Sequence, residues 1–263
     1  MNAPAHPFHR SYTDTKTNTA TSTKPRAWLP NNPVPMVGRL SRCWLLAYRA
    51  PLDLVSRHLP APLKPLSFGG YGFWNVVVCE VENMRPRKFP KVLGITYRHV
   101  AYRIYVRHLN QAGASVEGLY FLRSDCDSPL VAAGGNALTE FKFHTGEITI
   151  AENPLATLLE VQATGANGRA TINYGHHAKL ADDSPFQSVQ EAGDFLEYSP
   201  HGISVSPRGV EVLPIQRDEA AWKPRVVAAH SDHWDYLTNE ETHLEVAYEV
   251  APIDYEWLPA HHL

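Results

Sequence analysis

Residues 71–82 read YGFWNVVVCEVE and residues 100–108 read VAYRIYVRH. Both are dominated by β-branched and aromatic residues, the pattern of strands, and segments of this kind are separated along the chain by Gly, Pro, Asn and Asp. Working outward, comparable runs recur at 43–49 (CWLLAYR), 117–125 (EGLYFLRSD), 139–144 (TEFKFH), 147–152, 158–164, 169–175, 202–206, 209–216 and 243–250. No fixed period relates them, which argues against a solenoid or propeller. Helix signals are confined to three short places. Residues 50–60 (APLDLVSRHLP) place Pro51 at a helix start and space Leu52, Val55 and Leu59 along one face. Ser128-Pro129 and Ser184-Pro185 each offer an N-cap followed by a first-turn proline. The expected fold class is mainly β (α+β), an antiparallel β-barrel with a few short helices packed outside.

Composition narrows the function classes. Charged residues are 19% and hydrophobic residues 44% of 263, enough for a substantial core. A net charge of -3 lacks the basic excess of a dedicated nucleic-acid binder. No apolar run approaches the roughly 18 residues that span a bilayer, and the N-terminal stretch has no apolar core of a secretory signal, so a cytoplasmic address without membrane contact is expected. Residues 1–32, with TDTKTNTATSTK at their centre, are too polar to offset their ordering entropy and read as a disordered tail before one domain over 33–263. Cys43, Cys79 and Cys126 are widely separated and read as reduced core thiols.

Strand periodicity then sorts the polar residues by face. Arg103, Tyr105 and Arg107 share one face of 100–108. In 117–125, Leu119, Phe121, Arg123 and Asp125 align, so an apolar face ends in an Arg and an Asp. In 139–144, Glu140, Lys142 and His144 alternate with Phe141 and Phe143, setting an acid, an amine and an imidazole about 7 Å apart. Such faces commonly meet solvent. The mixture of aromatic and charged groups also suits a small-ligand pocket.

The order of CWLLAYRAPLDLVSRHLPAPLKPLSFGGYGFWNVVVCEVENMRP, YRHVAYRIYVRH, VEGLYFLRSDCDSPLVAAGGNAL and DFLEYSPHGISVSPRGVEVLPIQRDEAAWKPRVV resembles the acetoacetate decarboxylase-like superfamily, and within it the branch called domain of unknown function 2071. The resemblance spans roughly residues 40 to 228. It implies a barrel-like fold with a buried cavity, assembly as a homo-oligomer, and in the decarboxylase itself a lysine that forms an iminium with its keto-acid substrate beside a second lysine. Here Ala132, Ala133, Gly134, Gly135 and Asn136 stand where those lysines are expected, and none of them can form an iminium.

The expected ligand is therefore a small carboxylate or keto acid, held without cofactor or metal by Arg103, Arg123, Asn75 and Tyr105, since guanidinium forks match carboxylates. If chemistry follows, it is lyase- or hydrolase-type acid–base chemistry by Asp125, Lys142 or His144. A relocated Schiff-base amine at Lys142 competes with the plainer reading of a solvated surface lysine, and the whole site competes with a non-catalytic binding or sensory module. His230 and His233, with His176 and His177 elsewhere, supply too few converging ligands to predict zinc. Nucleophile-elbow, P-loop and dinucleotide signatures are absent.

Overall fold

The computed structural model describes residues 32–110, 113–196, 200–237 and 241–263. The expected tail over 1–32 lies outside them except for Asn32, which is buried and donates through Nδ2 to the Leu258 carbonyl at 2.9 Å. In chain order the elements are β1 (Met36–Pro51), α1 (Leu52–Ser56), β2 (Lys64–Pro65), β3 (Ser67–Phe68), β4 (Tyr71–Pro86), β5 (Ile95–Leu109), β6 (Ser115–Cys126), α2 (Pro129–Leu138), β7 (Phe143–Thr145), β8 (Glu147–Glu152), β9 (Ala156–Gln162) and β10 (Gly168–Asn173). There follow α3 (Val189–Phe195), β11 (His201–Ser206), β12 (Gly209–Arg217), β13 (Arg225–Trp234), β14 (His243–Val250), β15 (Ile253–Trp257) and β16 (His261–His262).

Strand β1 pairs along its length with β4, and on its other edge with β15 near its start and β14 near its end. From β4 the ladder runs through β5, β6, β11, β12 and β15 and returns to β1, so the sheet closes in a ring. Pairing is antiparallel except for β6 with β11 and β6 with β7. Strands β8, β9, β10 and β13 continue from β14 as a second wall.

Two buried layers follow from the period of two. Cys43, Leu45 and Ala47 of β1, Phe73, Val77 and Cys79 of β4, and Ala101 and Tyr105 of β5 belong to one cluster inside the ring. Trp44, Leu46, Trp74, Val76, Tyr102 and Ile104 point the other way and pack with Ile148, Leu159 and Ile172 of the second wall. With both faces buried, polar residues have little place in the strand middles, which is why 71–82 reads as a nearly unbroken apolar run. Each large side chain so buried contributes roughly 1.5–3 kcal/mol.

The helices are short. Ser128 caps α2 as expected, its Oγ accepting from the Val131 amide at 3.4 Å. The third helix starts at Val189 rather than at Pro185, because Ser184 instead caps a local turn through the Phe186 amide and donates to Glu245. It packs against β14. Its Ala192 joins the interior cluster with the neighbouring Leu196, Tyr105 Oη donates to the Leu196 carbonyl, and Tyr248 Oη donates to that of Gly193, both at 2.7 Å. Among the described residues no helix is long and apolar enough to cross a membrane.

Candidate functional site

The ring interior holds a buried polar set that the strand period places there. Counting inward-facing positions along β5 gives His99, Ala101, Arg103 and Tyr105, all buried. Arg103 donates to Asn75 Oδ1 through Nε at 3.0 Å and also through Nη2. Asn75 in turn donates to Tyr105 Oη at 2.8 Å. Tyr105 is tied to the Leu196 carbonyl, so the guanidinium is held by a chain of bonds that ends at the C-cap of α3. Its face lies 5.5 Å from the Phe121 ring centre, an added cation–π contact.

Beside Arg103 is an interior cavity of about 60 Å³, walled by Cys43, Cys79, His99, Phe121, Ile215 and Trp222 among others. Asn75 and Tyr105 are not among the residues that wall it; they reach Arg103 from behind through the bonds above. Cross-strand register sets Cys43 opposite Cys79, Cys79 opposite His99 and His99 opposite Cys126, a single row over four strands. Burial pushes the Cys43 thiol up to about 12, against the opposing pull of Arg103. It raises Cys79 and Cys126 as well, so the three are protonated thiols at neutral pH. Burial, then the Arg103 charge, push His99 down to about 3, leaving a neutral imidazole. His99 Nε2 makes no hydrogen bond among the described residues. His99 shares the face of Arg103 and lies four positions before it, so the alternation that singles out Arg103 also reaches it once carried back past Val100.

The expected alignment of Arg123 and Asp125 with Phe121 does not hold. The β5–β6 register slips so that Tyr102 faces Arg123 while Arg103 faces Phe121, making Leu122 the extra residue of a bulge. Beyond the bulge the faces exchange. Arg123 and Asp125 therefore lie outside the ring, where Arg123 Nε and Nη2 bond the buried Asp125 carboxylate at 2.9 and 2.8 Å and Nη2 also reaches the Thr164 carbonyl at 2.9 Å. His144 is the register partner of Asp125 on β7, on this outer side. Its imidazole is lowered by partial burial and by Arg123, with Asp125 opposing.

Nor is 139–144 one strand. Lys142 has a φ of +55°, and only Phe143–Thr145 pair with β6, so Glu140, Lys142 and His144 are not a strand-borne triplet. Lys142 is exposed, with Nζ 3.0 Å from Tyr120 Oη and 3.3 Å from the Phe121 carbonyl. The predicted site residues thus separate into an interior group, Asn75, Arg103 and Tyr105, and an exterior group, Arg123, Asp125, His144 and Lys142.

The stretch that lacks the lysines has its own structural work. Asn136 clamps α2 to β7 with two bonds to the Phe143 backbone, at 2.8 and 2.7 Å. A Cβ on Gly135 would stand 2.3 Å from Phe143 Cδ2, so glycine is needed for that approach. His176, His177, His230, His233 and His243 line an outer groove of about 750 Å³. Among the described residues no three His, Cys, Asp or Glu side chains converge to hold a metal.

The family model DUF2071, described as an uncharacterized conserved protein, matches residues 38–199. No curated protein sequence matches at a significant level. Among solved structures, an acetoacetate decarboxylase-like enzyme from Sphingomonas wittichii RW1 is 14% identical with a TM-score of 0.59, over 87% of this chain and 92% of that one. Acetoacetate decarboxylase from Legionella pneumophila is 13% identical with a TM-score of 0.58, over 97% and 98%. The enduracididine biosynthesis enzyme MppR, complexed with the condensation product of pyruvate and imidazole 4-carboxaldehyde, is 10% identical with a TM-score of 0.56, over 87% and 88%. At these identities the likeness is one of fold. The chain belongs to the DUF2071 family and is built on the acetoacetate decarboxylase-like fold.

Proposed function

We propose that this protein binds a small carboxylate of the keto-acid class inside the ring, with Arg103 as the anion-binding group and Asn75 and Tyr105 as its positioning residues. The carrying observation is a buried, oriented guanidinium on the wall of an otherwise largely apolar cavity. Taking about 10–15 Å³ per water position, 60 Å³ accommodates roughly four to six heavy atoms, the size of pyruvate. MppR is a fold neighbour solved with pyruvate, which supports the same ligand class here. Reduced, unbridged cysteines agree with a cytoplasmic setting.

Iminium chemistry of the decarboxylase kind is not part of this reading, because among the described residues no lysine lines the cavity and the Lys142 amine is held at Tyr120. A second reading, an acid–base lyase on the same site, rests on His99. Its imidazole is neutral, stands on the cavity wall and has an Nε2 without a hydrogen bond among the described residues; a ligand carboxylate on Arg103 would offset the charge that depresses its basicity and bring it closer to the range a general base needs.

Thermal shift and calorimetry with a keto-acid panel test the binding. Arg103→Gln should weaken a hit by roughly 10- to 150-fold, the worth of a charged hydrogen-bonded contact, and Arg123→Ala should not. Equal binding by wild type and Arg103→Gln would exclude this site. Deuterium exchange into the methyl group of pyruvate, followed by NMR, separates the two readings. Exchange lost in His99→Gln supports the lyase, and no exchange above buffer supports binding alone.

A further inference from the structure

Resting on that reading, we propose that the ligand carries a second carboxylate and that Arg217 receives it, making short dicarboxylates, keto diacids included, the preferred class. Strand β12 sets Leu213 and Ile215 into the interior cluster, and Arg217 is the next residue on their face. Its side chain is only 5% exposed. Arg217 borders the cavity that Arg103 borders, so two guanidinium groups share one small space, with Ile215, Tyr255 and Phe121 supplying apolar wall around them. A ligand charged at both ends matches the two cations at once.

The setting of Arg217 suits exchange of partners. Its guanidinium is stacked on the Trp222 ring, 3.6 Å from the centre, which fixes the plane while leaving the N–H fork directed along it. One carboxylate partner is Glu219, 3.1 Å from Nε and 3.2 Å from Nη2 and 64% exposed. An ion pair with so exposed a partner is weak and can give way to a ligand carboxylate.

Arg217 also borders an outer groove of about 930 Å³, so it stands where the cavity meets solvent, and a diacid too large for the 60 Å³ interior would extend its second carboxylate into that groove. On that groove Arg39 pairs with Asp254 and Arg87 with Glu256. Arg85, donating to the Asn83 and Phe89 carbonyls, and Lys91 add two more cations. The approach to Arg217 is therefore electropositive, which raises the local concentration of dianions above that of monoanions.

The test is calorimetry on the whole chain with matched pairs, malonate against acetate and oxaloacetate against pyruvate. Each diacid should bind at least about ten-fold tighter than its partner acid. In Arg217→Gln the ratio within each pair should fall toward one. Equal affinities within both pairs in the wild type overturn the proposal without any variant, and a ratio unchanged in Arg217→Gln overturns the role of that residue. If the monoacids bind and the diacids bind no better, only this inference fails. If neither class binds, the cavity reading beneath it fails too.

Discussion

Replacing His99 by Phe should remove an acid sensitivity from the folded protein. Burial, reinforced by Arg103, holds the His99 imidazole at about 3 in the folded state, against about 6.5 in an unfolded chain. Below pH 6.5 the unfolded state takes up a proton that the folded state refuses until about pH 3. Across that window the unfolded state binds more protons, so stability is complete above it and is lost as the pH falls. At pH 5, about 1.5 pH units below the unfolded value, the loss is about 2 kcal/mol, against about 0.2 kcal/mol at pH 7. Urea unfolding of wild type and His99→Phe at both pH values isolates this contribution, since His58 and His144, also lowered by burial, contribute to both proteins alike. The wild type should lose about 2 kcal/mol more than the variant between pH 7 and pH 5. Equal losses would refute a neutral, buried His99 and with it the inward face assigned to β5.

Arg123→Ala should cost about 3–5 kcal/mol in urea unfolding, because the Asp125 carboxylate stays buried without its cation; a cost below 1 kcal/mol would mean the pair is not desolvated. Borohydride treatment with keto acids should leave Lys142 unmodified in mass spectrometry, and a reduced adduct there would restore the iminium route. The native thiols should resist an aromatic disulfide reagent at pH 8, with Cys43 pushed up to about 12 and all three cysteines buried, and should react together on unfolding; fast labelling of any one in the native state contradicts its placement.

Much of the fold was legible because burial on both faces leaves strong local marks. Residues 71–82 and 100–108 announce strands through their Val, Ile and aromatic content, and Ser128-Pro129 announces α2. What escaped depends on partners remote in sequence. The N-terminal half of β1, MVGRLSR, is half-buried near one end of the ring and has no apolar alternation. The bulge at Leu122 is a property of the β5–β6 register, so alternation within β6 alone assigns Arg123 and Asp125 to the wrong face. Lys142 adopts a left-handed backbone that no composition signal marks, and this ends the apparent triplet with Glu140 and His144. Arg103, Asn75 and Tyr105 were accessible because their strands run without interruption through the ring, and period two holds there. Arg217 was not, since it closes a strand read only as far as residue 216.

A crystal structure of the protein soaked with pyruvate tests the central claim most directly. The account predicts density for a carboxylate against the Arg103 guanidinium, inside the ring and beside His99. Pyruvate bound instead beside Arg123 and Asp125, or an empty interior at saturating ligand, would contradict it.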